Sequence, residues 1–245
     1  MFQAIILGLV QGLTEFLPIS SSGHLVLAQH LFGFNQIDPA FDVFVQGGTV
    51  ISVLIYFRHQ LLHLTRRYLS LLLIASLPAA IIGLLLGNYI DAIFSSLFGV
   101  ALGFFLTTLL VWSTKHLPQD TNKLATKNVL KIGFAQACAI LPGLSRSGTT
   151  ITIALFLGIS PSDAFNFSFL LSIPVVAGAS LLSIRHLTWD TGLTNAYIIG
   201  FLIATISGYF SLLALAKLMK KGKFYLFAPY TFLLSVISLI LALSR

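Results

Sequence analysis

The chain has 245 residues, of which 57% are hydrophobic and only 9% charged, and its mean hydropathy is +0.96. Ordinary soluble domains carry about 25% charged residues, so a water-facing globule is excluded and lipid must be the solvent for most of the surface. The net charge of +7 falls in short basic blocks between apolar runs, the pattern of cytoplasmic loops rather than of a nucleic-acid face.

Residues 1–33 run apolar to Leu17, break at Pro18-Ile19-Ser20-Ser21-Ser22-Gly23-His24, and turn apolar again. Gln11 and Glu15 within this stretch, and the lack of a basic start, argue against a cleavable signal. Apolar runs of spanning length or near it follow at roughly 41–57, 68–89 and 93–113. Residues 128–160 repeat the opening pattern: apolar to Leu141, broken at Pro142-Gly143-Leu144-Ser145-Arg146-Ser147-Gly148, then apolar. The single cysteine, Cys138, lies there, excludes an intrachain disulfide and reads as a small core residue. Runs at roughly 164–184, kinked at Pro174, 194–216 and 224–243 complete the chain.

Each half of a broken region is too short to cross a bilayer, so both predict re-entrant hairpins whose irregular tips face protein or water. The two regions resemble each other at an offset of 125: Gln11 falls on Gln136, and Ser20, Ser22 and Gly23 fall on Ser145, Ser147 and Gly148. Each is followed by three spans. An odd number of crossings turns the second copy over, which makes an inverted repeat. Basic loops at 58–67, 114–127 and 217–223 then share one side, while loops 34–40, 90–92 and 185–193 share the other. The positive-inside rule makes the basic side cytoplasmic. The expectation is an all-α membrane protein, one domain over 1–245, with six transmembrane helices and two re-entrant helical hairpins in an inverted-topology repeat, about 1–113 and 128–243.

The chemistry-bearing residues sit at the breaks. Glu15 is the only glutamate, and a carboxylate in an apolar stretch is costly unless it has work and a partner. With Gln11 one turn earlier on the same face, it reads as a metal ligand or general base. His24 follows a serine cluster in which Ser21 or Ser22 could serve as nucleophile, as helix cap, or as both. Arg146 carries a permanent charge that requires an anion, either a phosphate or the Glu15 carboxylate, and its planar fork suits phosphate. With Ser20, Ser22, Ser145, Ser147, Gly148 and Thr150 at two helix starts, it forms an anion cradle. That set suits phosphoryl transfer or hydrolysis of a phosphate ester, with Gln11 and Glu15 holding a hard divalent cation. Asp42, Gln46, Asn166 and Ser168, at the starts of spans, are expected to line the cavity.

The segment from Gln11 through Glu15 and Pro18 to Ser20-Ser21-Ser22-Gly23-His24 resembles the signature of the undecaprenyl-diphosphate phosphatase family, also called the bacitracin-resistance protein family. Pro142, Gly143, Ser145, Arg146, Ser147 and Thr150 resemble its second motif, and Phe41–Gln46 and Phe167–Leu171 with Pro174 extend the similarity to nearly the whole chain. The resemblance implies a multi-pass enzyme of the bacterial plasma membrane that converts undecaprenyl diphosphate to undecaprenyl phosphate for peptidoglycan synthesis. It implies dependence on Mg²⁺ or Ca²⁺ and a site open to the extracytoplasmic side. It makes Gln11 and Glu15 the metal or acid–base motif, Ser21 and His24 the nucleophile or base, and Arg146 the diphosphate ligand; Gln11 stands where many members carry Glu. The alternative reading is a transporter or flippase for an anion or the phosphorylated lipid. Nucleophile, metal preference, chain-length specificity and oligomeric state, a homodimer included, stay open at this point.

Overall fold

The computed structural model describes residues 1–33, 39–94, 96–117, 124–183 and 191–244. Among these, all regular structure is helical: α1 (Phe2–Glu15), α2 (Ser21–Phe32), α3 (Pro39–Tyr56), α4 (Arg58–Leu62), α5 (Arg66–Phe94), α6 (Leu97–Ser113), α7 (Thr126–Cys138), α8 (Arg146–Phe156), α9 (Pro161–Ser183), α10 (Thr191–Lys220) and α11 (Ala228–Leu243). Short 3₁₀ turns occupy Thr114–His116 and Phe224–Phe227. The loop tips at 34–38 and 184–190, with Lys123 and His186, lie outside the described residues.

Among the described residues, five helices are long and apolar enough to cross a membrane: Arg66–Leu85, Leu97–His116, Pro161–Leu181, Thr194–Lys220 and Phe224–Leu243. The apolar helix Phe41–Tyr56 within α3 is shorter than these five. The break expected at 90–92 is not there: α5 stays helical to Phe94, and Ser96 caps α6 by accepting the Gly99 N–H. The four helices of the two broken regions have 14, 12, 13 and 11 residues. At about 1.5 Å per residue none reaches the roughly 30 Å of a hydrocarbon core.

Large apolar side chains such as Leu84, Leu85, Phe98, Phe210 and Ile240 face outward, while Gln11, Glu15, Ser52, Thr107 and Thr152 are buried. This inversion of the soluble pattern is what a lipid exterior dictates. Helices therefore associate through close backbone approach and buried hydroxyls. Gly8 and Gly12 bring α1 onto the backbone of α10. Ser52 of α3 donates to the Thr205 carbonyl of α10 at 2.6 Å, and Thr205 returns a bond to Gly48 at 3.0 Å. Such interhelical bonds contribute about 0.6 kcal/mol each on average. A core of Phe16, Phe165, Phe167, Phe169, Leu171 and Leu212 fills the space between α1, α9 and α10 and seats the end of α1.

Candidate active site

The first tip forms where Pro18 prevents α1 from continuing. After it, Ser20 adopts φ 62°, the one non-glycine residue with positive φ among those described. Such a conformation costs roughly 1–3 kcal/mol and persists only where its surroundings impose it. Here Ser20 Oγ caps α2 by accepting the Gly23 N–H at 3.4 Å, and the Ser20 carbonyl meets His24 Nδ1 at 2.7 Å.

The second tip repeats the device. Ser145 Oγ accepts the Gly148 N–H at 3.1 Å and caps α8. The Ser145–Ser147 hydroxyl pair stands at 3.2 Å, as does the Ser20–Ser22 pair. Thr107 of α6, fully buried, clamps this tip: its Oγ1 donates to the Gly143 carbonyl at 2.9 Å and accepts the Ser145 N–H at 2.9 Å. Gly143 needs its φ of 81°, and a Cβ on it would stand 2.3 Å from the Val100 carbonyl oxygen.

The tips meet. Ser147 Oγ donates to the Leu17 carbonyl at 3.1 Å, stapling one tip to the other. Arg146 Nη2 donates to Glu15 Oε1 in an ion pair whose side chains are 17% and 6% exposed. Gln11 Nε2 donates to Glu15 Oε2 at 2.8 Å, and Ser21 Oγ donates to the same oxygen at 2.5 Å. A carboxylate, a guanidinium, a hydroxyl and an amide thus share one buried point at the starts of two helices, where backbone dipoles favour negative charge. Arg146 Nη1 and Gln11 Oε1 are buried and without a partner among the described residues, leaving one cationic donor and one hard oxygen unused.

The remaining expected residues divide. His24 forms no hydrogen bond with Ser21: besides the Ser20 carbonyl it meets the Tyr230 hydroxyl at 2.8 Å, stacks on that ring at 5.6 Å and lies edge-on to Phe104. Thr150 bonds Ser168 of α9 at 2.6 Å and so braces α8 from behind the cluster. Asp42 accepts from Gln29 at 2.8 Å, and Asn166 lines a different cavity. Thr107 and Tyr230 carry no sequence signal of their roles: a threonine in a span reads as packing, and a tyrosine near a span's end reads as an interfacial anchor. Gln136, which falls on Gln11 at the offset of 125, is buried with both amide atoms unpartnered among the described residues.

No group of three or more His, Cys, Asp or Glu side chains gathers among the described residues. The oxygens that could hold a hard cation are the Glu15 carboxylate, the orphaned Gln11 Oε1 and Ser21 Oγ. One carboxylate plus donors from a phosphate substrate is a common way to bind Mg²⁺.

Residues 4–237 match the family model described as bacitracin resistance protein BacA. The chain is 39% identical to the undecaprenyl-diphosphatase of Desulforapulum autotrophicum over 269 residues, 98% of each chain. It is 40% identical to the undecaprenyl-diphosphatase of Carboxydothermus hydrogenoformans over 252 residues, 98% of this chain and 97% of that one. Undecaprenyl-diphosphatase 2 of Bacillus thuringiensis is 39% identical, covering 96% of each. The matched length takes in both serine tips and the Glu15–Arg146 pair that joins them, and the chain belongs to the BacA family of bacitracin resistance proteins.

Proposed function

We propose that this protein is an undecaprenyl-diphosphate phosphatase of the bacterial plasma membrane. It releases inorganic phosphate, returns undecaprenyl phosphate to the carrier-lipid pool of peptidoglycan synthesis and thereby supports resistance to bacitracin. The observation that carries this reading is the convergence of Ser21, Glu15 and Arg146 at two helix starts, in a chain whose relatives bear that enzyme's name. A transporter would use Arg146 but has no need of a serine hydroxyl directed at a carboxylate.

Ser21 Oγ attacks the terminal phosphorus while its proton passes to Glu15 Oε2, with which it already shares a hydrogen bond. The Oγ–P bond forms, the bridging P–O bond breaks, and undecaprenyl phosphate leaves. Water then cleaves the phosphoserine, with Glu15 and His24 as the acid–base groups. Arg146 offers its free Nη1 to the phosphoryl oxygens, and the starts of α2 and α8 with Ser20, Ser22, Ser145 and Ser147 complete the cradle. Glu15 and Gln11, with the substrate's own oxygens, would hold Mg²⁺ or Ca²⁺, which would supply neutralisation of phosphate charge.

In the membrane, α3, α5, α6, α9, α10 and α11 are the six crossings, and α1–α2 and α7–α8 are re-entrant hairpins of an inverted repeat. The packing supports this: α1 lies on α10, and α7 lies on α5. A Cβ on Gly8 would stand 2.6 Å from the Gly200 carbonyl oxygen, and one on Gly133 would stand 2.5 Å from that of Ala75. Both members of the first pair shift by 125 to give the second, with partners exchanged, as a two-fold relation requires. The basic loops are cytoplasmic and the site opens to the extracytoplasmic side.

Phosphate release by the purified protein from undecaprenyl diphosphate, with and without chelator, tests the reading. Release that stops with chelator and returns with Mg²⁺ or Ca²⁺ is the expected result. Release untouched by chelator removes the cation from the mechanism, and no release from a folded sample overturns the phosphatase.

A further inference from the structure

A cavity lies away from the serine tips, where the ends of α3 and α10 meet α4 and the turn before α9. Its volume of about 580 Å³ is in the range of ligand sites. The phosphatase chemistry does not use it. One wall is aromatic, with the Tyr56 and Phe165 rings 6.0 Å apart. The other is polar, formed by Gln60, Asn166 and Lys220, with His59 at the edge. Among the described residues, the side chains of Gln60, Asn166 and Lys220 have no hydrogen-bond or ion-pair partner. The lining contains basic groups and no Asp or Glu. The nearest carboxylate in sequence, Asp163, accepts the Ser160 hydroxyl at 2.8 Å in the first turn of α9.

Its surroundings specify the ligand further. Arg58, Lys217, Lys221 and Lys223 flank the lining residues in sequence, so this end of the bundle attracts anions. Ile55, next to Tyr56, is exposed at 41% on α3 and faces what the membrane reading makes lipid. An anionic headgroup can thus sit against Lys220 and the two amides while its apolar chains run down an apolar helix face.

We propose that this cavity is a binding site for the phosphate group of an acidic phospholipid, separate from the catalytic cluster. Lys220 pairs with the phosphate, Gln60 and Asn166 donate to its oxygens, and the Tyr56–Phe165 wall packs against the glycerol and upper chains. Basic pockets between membrane helices recognise anionic headgroups through this combination.

Native mass spectrometry of the detergent-purified full chain, titrated with phosphatidylglycerol or phosphatidylcholine, tests it. Phosphatidylglycerol should be retained in preference to phosphatidylcholine. Lys220→Glu should lower that retention about tenfold, the value of one charge-assisted hydrogen bond. Lys220→Arg should keep it, and Lys127→Glu, which reverses an exposed charge outside the cavity lining, should leave it within about twofold. Melting temperatures of the variants verify folding. Equal retention by the Lys220→Glu protein overturns the site. An equal loss in Lys127→Glu reduces it to diffuse charge attraction and also overturns it. Displacement of the lipid by millimolar inorganic phosphate overturns the lipid as source and assigns the cavity to a free phosphate.

Discussion

Glu15 is held by three donors, and each loss has a different consequence. Removing Arg146 leaves a buried carboxylate uncompensated, which costs about 3–5 kcal/mol when the charge persists. Arg146→Lys is the cleaner test. It keeps the charge but loses the fork that binds Glu15 with one nitrogen and offers the other to phosphate, so phosphate release should fall at least about tenfold while the melting temperature changes little. A full rate in that variant removes Arg146 from the cradle. The neighbouring serines should separate as sharply. Ser21→Ala should lower turnover by about 10² or more, because its hydroxyl meets Glu15, whereas Ser22→Ala, whose hydroxyl meets Ser20, should stay within about tenfold. Equal losses would show that Ser21 is one cap among several. His24→Ala should reduce kcat more than it raises KM, and Tyr230→Phe should do less, since the Ser20 carbonyl still orients the ring. A change in KM alone would reassign His24 to binding. Glu15, Ser21 and Arg146 are legible in the sequence because charge and hydroxyl clusters at a break in an apolar run need a reason. Tyr230 is not, because its contact with His24 spans 206 residues and depends on how α11 packs.

Among the elements, the second tip is the part whose position depends most on its neighbours. Thr107 supplies two bonds to it, and Gly103 and Gly143 allow α6 and the tip to touch backbone to backbone. Thr107→Val leaves the Gly143 carbonyl and Ser145 N–H unpaired, at about 1–3 kcal/mol for each buried group. Thermal melting in detergent should register the loss, and phosphate release should fall with it because Ser145 sets the start of α8 and hence Arg146. Unchanged melting and activity would mean the tip holds its shape without the clamp. The existence of both broken regions follows from Pro18, Pro142 and the glycines beside the serines. Their neighbours were less legible. α5 continues as helix through 90–92 to Phe94, where the sequence reads as a loop.

Across the whole molecule, the exchanged contacts Gly8–Gly200 and Gly133–Ala75 predict matched behaviour. Gly8→Val and Gly133→Val should each lower the melting temperature by several degrees, whereas Gly83→Ala, with open space where its Cβ would go, should not. Disruption by only one of the two valines would contradict equivalent packing of the repeats. The likeness of the two broken regions, and the placing of Glu15, Ser21 and His24 in the first and Arg146 in the second, are legible in the sequence; the burial of Gln136 with both amide atoms unpartnered among the described residues is not. The account rests on Glu15 as the base that takes the Ser21 proton. Its most direct test is the initial rate of phosphate release from undecaprenyl diphosphate by folded Glu15→Gln protein relative to wild type. A loss of at least about hundredfold is expected, because the amide keeps the size of Glu15 but has one acceptor oxygen in place of two and takes up no proton; a rate within about twofold of wild type would contradict Glu15 as the base.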